Sequence, residues 1–127
     1  MARLASFTSK APAPAPFMSQ SVTCNGFVFA SGSLGLDPES GEFVAGSTYD
    51  RARQSLQNLA AVLESAGTSL SKVIKVNIFL SKMDYITEVN RAYAEFFVTD
   101  PKPARSCVAV AELPKGAEME IELVAEA

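Results

Sequence analysis

PARSCVAVAELPKGAEMEIE, residues Pro103–Glu122, carries apolar residues and a few charges on both sides of a Pro-Lys-Gly break. It reads as two short strands joined by a turn at Pro114-Lys115-Gly116. Strand side chains alternate faces, so Arg105, Cys107 and Ala109 share one face of the first strand and Ser106, Val108 and Val110 the other. On the second strand Glu120 and Glu122 share a face opposite Met119, Ile121 and Leu123. A lone Arg in so apolar a strand needs a carboxylate partner, from the protein or from a ligand. On these residues alone the simpler partner is Glu120 or Glu122, and a small anionic ligand is the other.

Working outward, Thr99–Pro103 holds two prolines and cannot be helix, so the chain turns there into the Arg105 strand. Before it, Tyr85–Phe97 predicts a helix capped by Asp84, with Ile86, Val89, Tyr93, Phe96 and Phe97 on its apolar face. Asn90 lies near that face, where an Asn is ordinarily a surface or core-satisfied residue. Val73–Leu80 reads as a strand, with Ile74, Val76, Ile78 and Leu80 pointing one way and Lys75, Asn77 and Phe79 the other. That half-polar second face fits a subunit interface or cleft, or equally a plain surface with one aromatic. Thr48–Ala66 predicts a helix with Thr48 as its cap and Arg51 at the third helical position. Its apolar stripe is Ala52, Leu56, Leu59, Leu63 and Ala66, and Gly67 ends it.

Toward the N-terminus, Asn25-Gly26 between two β-rich runs is a strong hairpin signal. Ser31-Gly32-Ser33 reads first as a strand end and second as a bulge where backbone can approach a ligand. Asp37–Gly41 is a turn, and Ala11–Pro16 alternates Ala and Pro as an extended connector. Leu4–Thr8 suits an edge strand, although the first ten residues also carry the basic, acid-free composition of a transit segment. The order strands, helix, strand, helix, strands describes one α+β domain over residues 1–127, with 1–16 an extended N-terminal segment and both helices on one face of a mixed sheet. The opposite sheet face then needs cover, which oligomerisation supplies.

Composition narrows the chemistry. A chain of 127 residues with 48 % hydrophobic content suits a compact domain with a core, and no apolar run has the length of a membrane span. The net charge of -3 and the absence of a basic cluster argue against nucleic-acid binding. There is no histidine, which removes Ser-His-Asp and Cys-His catalysis and every His-containing zinc site. Cys24 and Cys107 alone cannot complete a structural zinc site and read as reduced thiols. No Gly-rich phosphate loop is present. Chemistry is left to carboxylates, Arg, Lys, Tyr, a thiol, backbone dipoles and water.

Pro103-Ala-Arg-Ser-Cys-Val, then Leu113-Pro114, then Met119-Glu-Ile-Glu resembles the signature of the Rid family, the reactive intermediate deaminases. Phe29-Ala-Ser-Gly, Asp37-Pro-Glu-Ser-Gly-Glu, Leu63-Glu-Ser-Ala-Gly, Val73-Ile-Lys-Val and Val89-Asn-Arg-Ala-Tyr-Ala-Glu-Phe-Phe resemble it in order and spacing, so the likeness covers residues 4–126. The resemblance implies a chorismate-mutase-like fold and a homotrimer, with the sheets forming a central barrel, helices outside and clefts between neighbouring subunits. It implies hydrolysis of 2-iminopropanoate and 2-iminobutanoate to 2-oxo acids and ammonia, with no cofactor and no metal. Apart from the resemblance, the two reduced thiols fit the cytoplasm, or mitochondria if the N-terminus is a transit segment.

The same resemblance assigns roles. Arg105 grips the substrate carboxylate, and Glu120 holds and polarises the attacking water. Cys107 turns its backbone N–H to the substrate, Ser31 and Gly32 wall the cleft, and Asn90 borders it. Phe17 stands where the family usually has Tyr, and Ser33 where it usually has Gln. Two other readings accompany this one. One is a non-catalytic trimer that binds small carboxylates as a sensor or holdase. The other is a ribonuclease or translation inhibitor, against which the acidic balance and missing histidine argue.

Overall fold

The computed structural model describes residues 2–127. Its strands are β1 (Leu4–Ser6), β2 (Ser21–Cys24), β3 (Phe27–Ser33), β4 (Val73–Leu80), β5 (Ala104–Ala109) and β6 (Met119–Glu126). They form one mixed sheet in the order β1-β2-β3-β6-β4-β5, in which only β4 and β5 run parallel. The helices α1 (Thr48–Ser65) and α2 (Ile86–Phe96) pack side by side on one sheet face, α1 over β3 and β6. This is the α+β architecture expected from the element order.

The strands around Pro114–Gly116 are not neighbours: β4 lies between β5 and β6. The reason is connectivity. Two parallel strands need a crossover of a dozen or more residues, and α2 supplies it between β4 and β5. The chain then leaves the sheet edge through a tight turn, with Lys115 at φ 59, and re-enters as a central strand.

Local chemistry explains the other elements. Asn25 and Gly26 both take positive φ, 54 and 82, as the two-residue turn between β2 and β3 requires. The first reading of Ser31-Gly32-Ser33 fails: β3 continues to Ser33, with its register shifting between Ala30 and Ser33. The bulge is pinned on both sides. Ser31 N–H donates to the Gln20 carbonyl at 3.0 Å, and Ser33 and Ser55 exchange hydroxyl-to-carbonyl bonds of 3.0 and 2.9 Å. A second register shift, between Val73 and Lys75, buries Val73 and turns Ile74 outward, 40 % exposed, against the simple alternation.

Helix α1 is capped one residue earlier than expected. Ser47 is its N-cap, so the third helical position is Asp50, whose carboxylate accepts the Ser47 N–H at 2.9 Å. Arg51, freed from that role, pairs with Glu118 at 2.6 Å. At the other end Ala66 lies just past the helix, Gly67 has φ 86, and the Thr68 and Gly67 N–H groups bond the Leu63 and Glu64 carbonyls. Asp84 does not cap α2: it sits within a 3₁₀ turn, Met83–Tyr85, and Tyr85 directly precedes the helix.

The core between helices and sheet is built from Leu56, Leu59 and Leu63 of α1, Val89 of α2, and Val28, Val76, Ile78, Leu80 and Ile121 of the sheet, all fully buried. The other sheet face carries no helix. Phe29 and Val108, each 49 % exposed, stand there with Phe79, Asn77, Glu120 and Glu122. Both cysteines are free. No helix among the described residues is long and apolar enough to cross a membrane.

Candidate active site

The signature residues divide between the two faces of the sheet. In the register of β4 and β5, Arg105 lies beside Val76 and Cys107 beside Ile78, both buried against the helices. Arg105 and Cys107 therefore point to the helix side, at the sheet edge. In the register of β4 and β6, Glu120 lies beside Phe79 and Glu122 beside Asn77, so both acids occupy the open face. The Arg–Glu pair that the residues alone favour cannot form across β4. Among the described residues Arg105 has no ion-pair partner.

What Arg105 meets instead is α2. Its Nη2 donates to Asn90 Oδ1 at 2.6 Å, and its guanidinium carbon stands 4.7 Å from the centre of the Tyr93 ring. Cys107 follows two residues on, partly buried against the core. Burial pushes its thiol pKa up, against an opposing pull from Arg105, which keeps the thiol protonated and inert at neutral pH. Asn90, Arg105 and Cys107 thus form one half of the predicted constellation.

The other half gathers at the β3 bulge. A Cβ on Gly32 would lie 2.3 Å from Glu120 Oε2, so the carboxylate rests against the bare glycine backbone. The Ser31 hydroxyl donates to the Ser19 carbonyl at 2.6 Å, which ties the Phe17–Gln20 segment to the bulge. Phe17, at the start of that segment, is 89 % exposed. Burial raises the Glu120 pKa above the usual carboxylate range, and repulsion from Glu122 adds to the rise. Glu122 itself accepts a bond from Asn77 Nδ2 at 3.0 Å.

A single chain therefore brings Ser31, Gly32 and Glu120 together at the β3 bulge and Asn90, Arg105 and Cys107 together at the β5 edge, with Glu120 and Arg105 on opposite faces. It leaves Phe17 exposed, its side chain joined to neither group. The sequence alone does not mark Tyr93 as a contact of Arg105, and it offers Glu122 as a partner for Arg105 rather than as the neighbour that acts on Glu120. Tyr93 had a usable signal: it lies one helical turn from Asn90 on the face of α2 that meets β5. The sequence also does not mark a cleft of about 140 Å³ between the Ala11–Ala15 connector, β3 and α1, which Gly32, Ser33 and Asn58 help to line. Ser33 turns toward α1 there, through its bond to Ser55.

The family model described as Endoribonuclease L-PSP matches residues 8–127. The chain belongs to the L-PSP family, which includes the RutC and Rid proteins. A RutC family protein of Pyrococcus horikoshii is 44 % identical over 119 residues, covering 94 % of each chain. The Arabidopsis thaliana protein named Reactive Intermediate Deaminase A, chloroplastic, is 43 % identical over 118 residues, covering 93 % of this chain and 63 % of that one. Among solved structures, Escherichia coli TdcF with bound serine superposes with a TM-score of 0.91 at 35 % identity, covering 98 % of both chains. The superposition shows that this chain shares the α+β fold of TdcF.

Proposed function

We propose that this Rid family member hydrolyses reactive 2-imino acids, with 2-iminopropanoate and 2-iminobutanoate as substrates, to 2-oxo acids and ammonia. The site is a cleft between neighbouring copies in a homotrimer, where Arg105 of one copy faces Glu120 of the next. The observation that carries this reading is Arg105 itself. Its guanidinium is partly buried and held by two neutral groups, Asn90 and Tyr93, so its charge is left for a carboxylate from outside the chain. The uncovered sheet face, with Phe27, Phe29 and Val108 exposed, supports the second copy. The serine bound by TdcF is also an α-carboxylate and supports the substrate class.

The chemistry follows from positions and charge. Arg105 grips the carboxylate through two N–H bonds and sets the C=N carbon in reach of one water. Glu120 accepts a proton from that water as its oxygen bonds to the imine carbon, and returns the proton to nitrogen. The resulting carbinolamine collapses to C=O as the C–N bond breaks, its hydroxyl proton passing through Glu120 to the departing ammonia. A carboxyl whose pKa is raised by burial is a stronger base than an ordinary surface carboxylate, and so better suited to take and return that proton. Cys107 contributes its backbone N–H, and Phe17, Ser31 and Gly32 wall the cleft.

Two expected outcomes bear on Glu120. Gly32→Ala places a methyl group where the carboxylate lies, and the flexible Glu120 side chain can move aside without disturbing the sheet. Turnover is expected to fall by roughly tenfold or more with the melting temperature nearly unchanged, as steady-state kinetics and thermal unfolding will register. Because Glu120 acts as a base with a raised pKa, the acid limb of kcat/KM should lie above the ordinary Glu range of about 4.3. Glu122→Gln removes the repulsive contribution, so a pH–rate profile should show that limb moving to lower pH.

The activity is tested by a coupled assay. A dehydratase generates the two imines from serine and threonine, and 2-oxo acid release is followed with and without the protein. Faster release of at least one 2-oxo acid supports the proposal. No acceleration of either, by a sample that unfolds cooperatively, refutes it and leaves the carboxylate-binding sensor as the better account.

A further inference from the structure

We propose that Tyr93 is a positioning residue for Arg105, fixing the plane of the guanidinium so that the remaining N–H groups present a preformed fork to the substrate carboxylate. The inference rests on the reading of Arg105 as the carboxylate anchor.

Arg105 lies on β5, the edge strand, which has a neighbour on one side only. An Arg side chain there has rotamer freedom that carboxylate binding would have to remove. Helix α2 removes it beforehand from two directions. Asn90 Oδ1 meets the edge of the guanidinium at 2.6 Å, while the Tyr93 ring lies against it, 4.7 Å from ring centre to guanidinium carbon. Asn90 and Tyr93 are one turn apart on the same helix, so both contacts come from one rigid surface. An edge contact and a ring contact together define the plane, which either alone leaves free to rotate.

The ring is itself anchored. Tyr93 stacks on Phe97 with centroids 4.3 Å apart and planes at 28°, and Phe97 is only 4 % exposed within the core. The position of Arg105 is thus referred to the hydrophobic core through Phe97 and Tyr93. The chemistry of the two contacts also matters. A carboxylate in either place would neutralise the charge and compete with substrate, whereas an amide and an aromatic ring do not. Asn90 takes one of the five guanidinium N–H bonds, and a bidentate grip needs two. The ring attracts the cation through its quadrupole and leaves the charge unneutralised. Burial raises the Tyr93 pKa, with Arg105 pulling the other way, so the ring remains a neutral phenol throughout the working pH range.

The test uses the full chain and 2-oxobutanoate, an unreactive product, as the probe. Affinity is measured by calorimetry in the wild type, Tyr93→Phe and Tyr93→Leu, each with and without Arg105→Ala, alongside kcat and KM. The Arg105 Nε–H resonance, assigned by its disappearance in Arg105→Ala, reports the ring independently of any ligand. Tyr93→Leu is expected to weaken binding and raise KM about tenfold with kcat within about twofold. Tyr93→Phe keeps wild-type values because the ring face remains. In the Arg105→Ala background Tyr93→Leu has no further effect. The Nε–H resonance of the wild type carries a ring-current shift that survives in Tyr93→Phe and is lost in Tyr93→Leu.

Equal loss from Tyr93→Leu in both backgrounds overturns the proposal, because it marks a general structural role. So does a wild-type Nε–H resonance without a ring-current shift, a measurement that does not depend on Tyr93→Leu folding. Unchanged 2-oxobutanoate binding in Arg105→Ala alone would instead strike the carboxylate-anchor reading, and is visible separately.

Discussion

Arg105→Ala is expected to weaken 2-oxobutanoate binding by about 2–5 kcal/mol, at least thirtyfold in affinity, and to lower kcat/KM for both imino acids by at least as much. The magnitude follows from what the guanidinium would contact. A carboxylate in a cleft between subunits has lost water, and removing its cation leaves it unpaired. Arg105→Lys should recover only part of the loss, because an ammonium keeps the charge but not the planar fork or the contact of the guanidinium with the Tyr93 ring. The fold should survive both changes: the protein groups in contact with the guanidinium are Asn90, which is exposed, and the face of Tyr93. Calorimetric titration with 2-oxobutanoate and a thermal melt, run on the same samples, separate lost binding from lost structure.

Glu120→Gln is expected to do the reverse. The amide preserves size but cannot take a proton, so kcat should fall by about 10²–10⁴-fold while 2-oxobutanoate affinity stays within about twofold of wild type. Stability should not suffer at neutral pH. A folded-state pKa raised above the unfolded value means that the carboxyl favours the folded state below its unfolded pKa. That contribution is lost as pH rises through the folded pKa. At pH 7 the ionised Glu120 is thus a group the fold tolerates, and a neutral Gln relieves its repulsion with Glu122. Stopped-time product assays and melting curves at pH 5 and pH 7 check both statements.

Much of the fold was legible because local chemistry and periodicity agreed. Asn25-Gly26 predicts a hairpin and takes the two positive φ angles that the turn needs. The stripe Ala52, Leu56, Leu59, Leu63 and Ala66 predicts the buried face of α1: the first four are buried, and Ala66, just past the helix end, is only partly so. The failures sit where one further bond or register shift selects between locally equivalent frames. Ser47 and Thr48 are both good caps, and the pairing of Asp50 with the former is what starts the helix at Thr48. Gly32 permits a strand end or a bulge, and Ser33 bonding to α1 selects the bulge. Ile74 obeys alternation until a register shift turns it out.

The candidate site was legible as residue types and not as an arrangement. Arg105 stands out in sequence as a charge in an apolar strand, whereas Glu120, alternating with Glu118 and Glu122, is singled out only by the resemblance to the Rid family. Nothing in their spacing tells that β4 comes between their strands and turns them to opposite faces. That placement depends on the α2 crossover, a long-range matter that a period-two pattern does not encode. Asn90 and Tyr93 are legible as neighbours one turn apart on α2, but not as contacts of Arg105, because those contacts join an edge strand to a helix through side chains.

The central claim is that the site is completed by a second copy, and subunit mixing tests it most directly. Arg105→Ala and Glu120→Gln chains are each expected to be nearly inactive alone. Unfolded together and refolded as mixed assemblies, they should regain imine hydrolysis, because some clefts combine the intact Arg105 of one chain with the intact Glu120 of the other. Random assembly of equal amounts restores about a quarter of the clefts. Activity of the mixture near a quarter of wild type is the predicted result. Activity no greater than the sum of the two separate variants, from refolded and assembled protein, would contradict the account.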